Sequence, residues 1–178
     1  GITAFSSNVT TTPNTLPALQ PLQANFAAVT NAAAALTASG CTALGGALQT
    51  AFDSFDLASS NKRSILVVTD GMQSANPFVG EGGAPGKLRV QSFPITGPLP
   101  LDAFFCTRTT ANGPSGTPIV PDGQDVATHN AEIHSIGVGV NGMGFQEVVQ
   151  RLASENRGIS HFTNTPAQSL DVLYINNL

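Results

Sequence analysis

The stretch SILVVTDGMQS, Ser64 to Ser74, decides how the rest of the chain is read. Ser64 to Thr69 reads as a buried strand. Ile65 to Val68 is an unbroken apolar run, as expected for a strand covered on both faces of a parallel sheet. Asp70 then ends the strand, and Gly71 follows at once. A carboxylate at the mouth of an apolar strand costs free energy unless something pairs with it. Two readings are open: Asp70 faces a cation, or it caps a loop or a helix N-terminus.

The elements around this strand alternate in type. Gly1 to Ser6 (GITAFS) is short and β-favouring, a strand already under way at residue 1. Residues 10–21 carry three prolines and several threonines, which predicts a loop with at most a short edge strand. Asn25 to Leu36 is alanine-rich, with Phe26, Val29 and Ala33 on one helical face, and Gly40 ends it. Cys41 to Gly46 is a turn of small residues. Ala43 to Phe55 is predicted as a second helix, with Leu44, Leu48, Ala51, Phe52 and Phe55 as its apolar stripe.

Residues 75–123 break the rhythm and hold eight of the chain's 12 prolines. Short strands are expected inside this segment at 87–93 and 103–106, and a loop-rich insertion of this length is usually functional. The regular pattern then resumes. A short helix is predicted at 124–130, a buried strand at 133–140, an amphipathic helix at 145–156 with Gly158 as its stop, a strand at 159–162 and a helix at 167–175. Strands alternating with helices predict one α/β domain over 1–178: a doubly wound, mostly parallel sheet with helices on both faces. Ligands of such sheets bind at the carboxyl ends of the strands, where Asp70 lies.

Composition excludes several functions. The 178 residues are 41% hydrophobic, which suits a globular domain with a real core. Only 10% are charged and the net charge is −4, with no basic run, so nucleic acid is not an expected partner. No apolar segment reaches the length of a membrane span. The N-terminus shows neither a start methionine nor a signal peptide, which reads as a processed, truncated or incompletely known beginning. The surface is rich in alanine, threonine, serine and asparagine and has just two lysines, Lys62 and Lys87. That composition fits an extracellular, cell-surface or periplasmic protein. Asn8-Val9-Thr10 is a glycosylation sequon, relevant only in a eukaryotic secretory setting.

Several motifs point elsewhere and are weaker. Gly137-Val138-Gly139-Val140-Asn141-Gly142 matches GxGxxG, but only 36 residues follow it, too few for the rest of a dinucleotide fold. There is no GxSxG, and His129, His134 and His161 adjoin no nucleophile in a recognisable motif. His134 falls in an apolar strand, where a packed histidine is the simpler reading than a base. No cluster has zinc-ligand spacing. The chain is therefore not expected to be an enzyme. The two cysteines, Cys41 and Cys106, are too far apart for a CxxC pair. They are either two buried thiols or one disulfide closing a long loop.

Four stretches, in order, resemble the von Willebrand factor A family: GITAFSS (1–7), GCTALGGALQTAF (40–52), SILVVTDG (64–71), and the run from IHSIGVGV (133–140) to the FQEVVQRLASENRGISHF segment (145–162). The resemblance covers nearly the whole chain outside 75–123. It implies a metal-ion-dependent adhesion site holding Mg²⁺, or Ca²⁺ or Mn²⁺. Thr42 would be the threonine ligand. Asp70 would be the aspartate, reaching the metal through water. The metal's open position would take an acidic side chain of a protein partner. The implied function is a surface adhesion or protein-binding module. The alternative is a structural subunit of a pilus, filament or other surface assembly with an inactive metal site.

The chain departs from the family in one respect. It has no DxSxS motif, and Asp56-Leu57-Ala58-Ser59-Ser60 has the wrong spacing and position. The resemblance places residues 1–7 at the family's second strand. The central first strand is then expected from elsewhere: ahead of Gly1, from a separate chain or peptide, or replaced by part of 75–123. Cys41 adjoins Thr42, so a Cys41–Cys106 bond would tie the insertion beside the metal site.

Overall fold

The computed structural model describes residues 2–6, 9–12, 27, 31, 34–35, 41–70, 72–82, 86–92, 111–113, 116–139 and 143–163. In chain order the elements are β1 (Ile2–Phe5), β2 (Val9–Thr12), α1 (Leu44–Asp53), β3 (Ser64–Thr69), β4 (Phe78–Glu81), β5 (Leu88–Gln91), a 3-10 turn (Val126–His129), β6 (Glu132–Val138), α2 (Met143–Ser154) and β7 (Ser160–Thr163). The fold is mixed α/β. β3, β6 and β7 form a parallel three-stranded sheet with β6 in the middle. β1 pairs with β2, and β4 with β5, as two antiparallel hairpins.

The β–α–β order around β6 follows from its sequence. Ile133 and Ile136 are buried in β6, and α2 supplies Val148, Val149 and Leu152. The helix lies over the face carrying Ser135, whose Oγ donates to the Val149 carbonyl at 2.7 Å. α1 packs into the same cluster through Leu44, Leu48 and Phe52, against Val67 and Ile133. Both described helices therefore cover one face of the parallel sheet. A second cluster joins Val9, Cys41, Ala43, Ala47, Ala75, Ala111 and Ile119, and Phe5 packs against both.

Three expectations need correction or extension. β3 is not covered on both faces: Val67 and Thr69 are buried, but Leu66 and Val68 remain 49% and 48% exposed. An unbroken apolar run marks a strand but does not say which face finds a partner. Second, the segment 75–123 is no appendage. Its described residues form the β4–β5 hairpin and place Phe78, Val79, Leu88 and Val90 at 0–2% exposure in the core. Of its two expected strands, the one at 87–93 is β5, and the one at 103–106 lies outside the described residues. Third, residues 9–12 pair with β1 as a full strand. Of the predicted helix at 25–36, Ala27, Asn31 and Ala34 are helical and exposed, and the rest lies outside the described residues, as does 167–175.

Charged side chains fasten the β4–β5 hairpin to the end of α2. Arg151 of α2 bonds Glu81 at 2.6 Å, Glu155 at 2.9 Å and the Gly86 carbonyl. Burial works against its charge, but the bonds to Glu81 and Glu155 outweigh that and hold the guanidinium pKa above its usual value. Glu155 in turn accepts from the Leu88 N–H at 3.0 Å.

Candidate functional site

Thr42 sits in the small-residue turn just before α1. The turn is stapled on two sides. The Ala43 N–H donates to the Ser6 carbonyl at 3.0 Å, at the end of β1. The Thr42 N–H donates to Ser74 Oγ at 2.8 Å, and the Thr42 carbonyl accepts from the N–H groups of Ser74 and Ala75 at 3.0 and 3.3 Å. The small residues make this approach possible. A Cβ on Gly45 would lie 2.5 Å from the Pro77 carbonyl oxygen. Three chain segments thus meet here: the end of β1, the start of α1 and the loop after β3.

Asp70 begins that loop. It is exposed, and it takes part in none of the ion pairs between described residues. Four residues further on, Ser74 is 2% exposed with its hydroxyl spent on Thr42. Gln73, also buried, anchors the loop on β4: its Nε2 donates to the Val79 carbonyl at 2.7 Å and its Oε1 accepts from the Val79 N–H at 2.6 Å. Sequence reasoning singled out Thr42 and Asp70 as candidate metal ligands. It missed Ser74 and Gln73, because a polar residue in a loop reads as solvent-facing and no local signal marks it as buried.

The side chains the sequence singled out, the Thr42 hydroxyl and the Asp70 carboxylate, carry hard oxygens, the right chemistry for Mg²⁺ or Ca²⁺, and the Thr42 turn adjoins the loop after Asp70 through Ser74 and Ala75. These oxygens are few. Among the described residues no group of three or more His, Cys, Asp or Glu side chains is placed to hold a metal ion. Cys41, beside Thr42, is 7% exposed and is not a free thiol. Cys106 lies outside the described residues.

No family profile, curated protein or solved structure matches this chain.

The histidines are engaged elsewhere. His129 stacks on Phe52, ring centroids 3.9 Å apart and 5° from parallel, and its Nε2 lies 3.3 Å from Asp122. Gln49 locks the same region, donating to Asp53 at 2.9 Å and accepting from the Asp122 N–H at 3.2 Å. His134 spends both ring nitrogens: Nδ1 accepts from the Ile159 N–H at 3.3 Å and Nε2 meets Glu132 at 2.8 Å. Glu132 also takes Lys62 at 2.6 Å. The Lys62 hydrogen bond, opposed by burial and aided by His134, holds the Glu132 carboxyl below its usual pKa. The Lys62, Glu132 and His134 group ties together the amino ends of β3, β6 and β7, while His129 and Gln49 tie α1 to the 122–129 segment. Among the described residues no helix is long and apolar enough to cross a membrane.

Proposed function

We propose that the chain is a surface protein-binding module of the von Willebrand factor A type, with a doubly wound sheet, which takes its partner at the Thr42–Asp70 end of that sheet. One observation carries the reading: the Thr42 turn is clamped between Ser6 and Ser74, so a hydroxyl-bearing turn is held rigidly beside a loop that opens with an exposed carboxylate. Rigid loops at the carboxyl ends of parallel strands are where such sheets bind ligands. Mg²⁺ is the proposed cofactor. Thr42 and Asp70 would hold it, with remaining oxygens from outside the described residues, from water and from an acidic side chain of the partner. One carboxylate is too little charge to hold the ion alone. No catalytic role is proposed.

Mn²⁺ is the probe for this reading. Added to ¹⁵N-labelled protein, it should broaden the amide signals of Thr42 and Ser74 first. Asp70→Asn should weaken that binding about tenfold or more, the usual cost of losing a group that orients a bound metal. Broadening that is absent, or identical in the variant, leaves the second reading: a subunit of a surface assembly with an inactive site. The half-exposed apolar row of β3 favours that alternative.

An extracellular or periplasmic setting is part of the proposal, with a Cys41–Cys106 disulfide fastening the 75–123 segment beside the site. Denatured protein treated with iodoacetamide should gain no label before reduction and two labels after it. Two labels before reduction would dismiss the bond.

A further inference from the structure

We infer that Arg63 and Arg157 form a binding site for a free tetrahedral oxyanion, phosphate or sulfate, at the amino end of the parallel sheet. The two side chains come from different elements and end on one turn. Arg63, just ahead of β3, donates from Nη1 to the His129 carbonyl at 3.4 Å and from Nη2 to the Leu57 carbonyl at 3.2 Å. Arg157, in the turn between α2 and β7, donates from Nη2 to Asn130 Oδ1 at 2.8 Å. Consecutive residues therefore hold two guanidinium groups, and every acceptor they use is neutral. The other described arginines are matched by carboxylates: Arg89 by Asp125 at 2.7 Å, and Arg151 by Glu81 and Glu155 at 2.6 and 2.9 Å. Arg63 and Arg157 take part in none of the ion pairs between described residues. The carboxylates that flank the turn along the chain are engaged elsewhere: Asp122 with His129, Asp125 with Arg89, and Glu132 with Lys62 and His134. Asp56, beside Leu57, accepts from the Ala58 N–H at 2.9 Å.

The backbone at this spot is held in an uncommon shape. Asn130 and Arg157 have φ of 51° and 64°, in the left-handed region, and among the described residues they are the only non-glycines with positive φ. Asparagine tolerates that region, but arginine gives up stability there that glycine would keep. The strained residue is thus the one that brings a guanidinium to the turn, and strain of this kind collects where a site is built. Each guanidinium is a planar fork of about five N–H donors. Arg63 spends two of them and Arg157 one. Donors arriving from two elements suit the oxygens of a tetrahedral anion, which point in several directions, better than the single plane of one carboxylate. Two like charges on one turn repel until an anion sits between them. The site stands at the opposite end of β3 from Asp70, so the inference goes beyond the metal-site reading and does not rest on it.

Inorganic phosphate is the probe, titrated into the ¹⁵N-labelled chain without divalent cations. The amide signals of Asn130, Arg157 and Gly158 should shift and saturate, with a Kd on the order of 1 mM at low salt, while those of Thr42 and Ser74 stay in place. Sulfate should move the same signals, and added sodium chloride should weaken both anions. Arg157→Gly is the deciding variant. Glycine suits a φ of 64°, so the thermal midpoint in phosphate-free buffer should hold or rise while phosphate affinity falls about tenfold. Arg63→Gln should lower the affinity about tenfold, and Arg63→Lys, which keeps the charge but not the fork, about threefold. Lys87→Gln removes an exposed positive charge elsewhere and should change the affinity less than about twofold. Shifts that stay linear in phosphate would overturn the site. So would Arg157→Gly and Arg63→Gln variants that bind as well as Lys87→Gln. Acetate binding as tightly as phosphate would overturn the assignment to a tetrahedral anion.

Discussion

Gly158→Ala is expected to cost ~3–5 kcal/mol, the upper range for a single overpacking substitution. A Cβ at this position would fall onto the Ile133 carbonyl oxygen, 2.5 Å from its carbon and 3.0 Å from the His134 nitrogen. All three atoms are backbone of β6, the middle strand of the parallel sheet, so no side chain can turn aside. Nor can the turn lift away freely. The Gly158 N–H closes the end of α2 on the Ala153 carbonyl at 3.0 Å. On either side, Ile133 donates to the Asn156 carbonyl at 3.3 Å and Ser135 to the Ile159 carbonyl at 3.0 Å. Urea unfolding followed by circular dichroism measures the effect. Gly116→Ala is the control: its φ of 75° is strained for alanine, but nothing lies within 4 Å, so about 1–2 kcal/mol is expected. A Gly158→Ala midpoint equal to or above that of Gly116→Ala would show that the α2–β7 turn is not seated on β6.

That glycine also shows how far the sequence carries. Gly158 reads correctly as the stop of the helix before it, but for a different reason. The left-handed residue of the turn is Arg157, at φ 64°. Gly158 is required because the chain passes too close to β6 for any side chain, a tertiary fact that no local pattern contains. The strand at 64–69, the helix at 43–55 and the strand–helix–strand unit from 133 to 162 were legible because hydrophobic period reports local structure directly. β4 was not. Its four residues, FVGE, lie among prolines and glycines that mark turns, and their burial depends on α1 and β5 arriving from elsewhere in the chain. The candidate site divides the same way. Small residues announced the close turn at Thr42, and the Asp-Gly ending announced the loop at Asp70. The clamp between them, Ser74 Oγ on the Thr42 N–H, joins positions 32 residues apart and has no signature in either segment.

Gln73→Leu should cost ~2–4 kcal/mol, with the volume of the side chain nearly kept. Gln73 is fully buried, and its amide acts as one more strand beside β4, giving a donor to the Val79 carbonyl and an acceptor to the Val79 N–H. Val79 is itself at 0% exposure, so leucine would strand two buried backbone groups away from water. Each such group loses the full benefit of its hydrogen bond without regaining solvent, which is why removing one partner costs more than the net worth of the bond. Gln73→Glu separates the two halves of the effect. The carboxylate still accepts from the Val79 N–H but faces the Val79 carbonyl with no donor, so it too should destabilise, and more at neutral pH than at a pH low enough to protonate it. The loop that Gln73 anchors also carries Ser74 onto Thr42. Loss of the anchor should therefore reach the site: in the leucine variant, amide exchange at Thr42 should rise before the protein unfolds globally. A leucine variant within about 0.5 kcal/mol of the parent, the range of an ordinary surface substitution, would mean that Val79 finds other partners. The Thr42 turn would then be held by Ser6 and Ser74 alone.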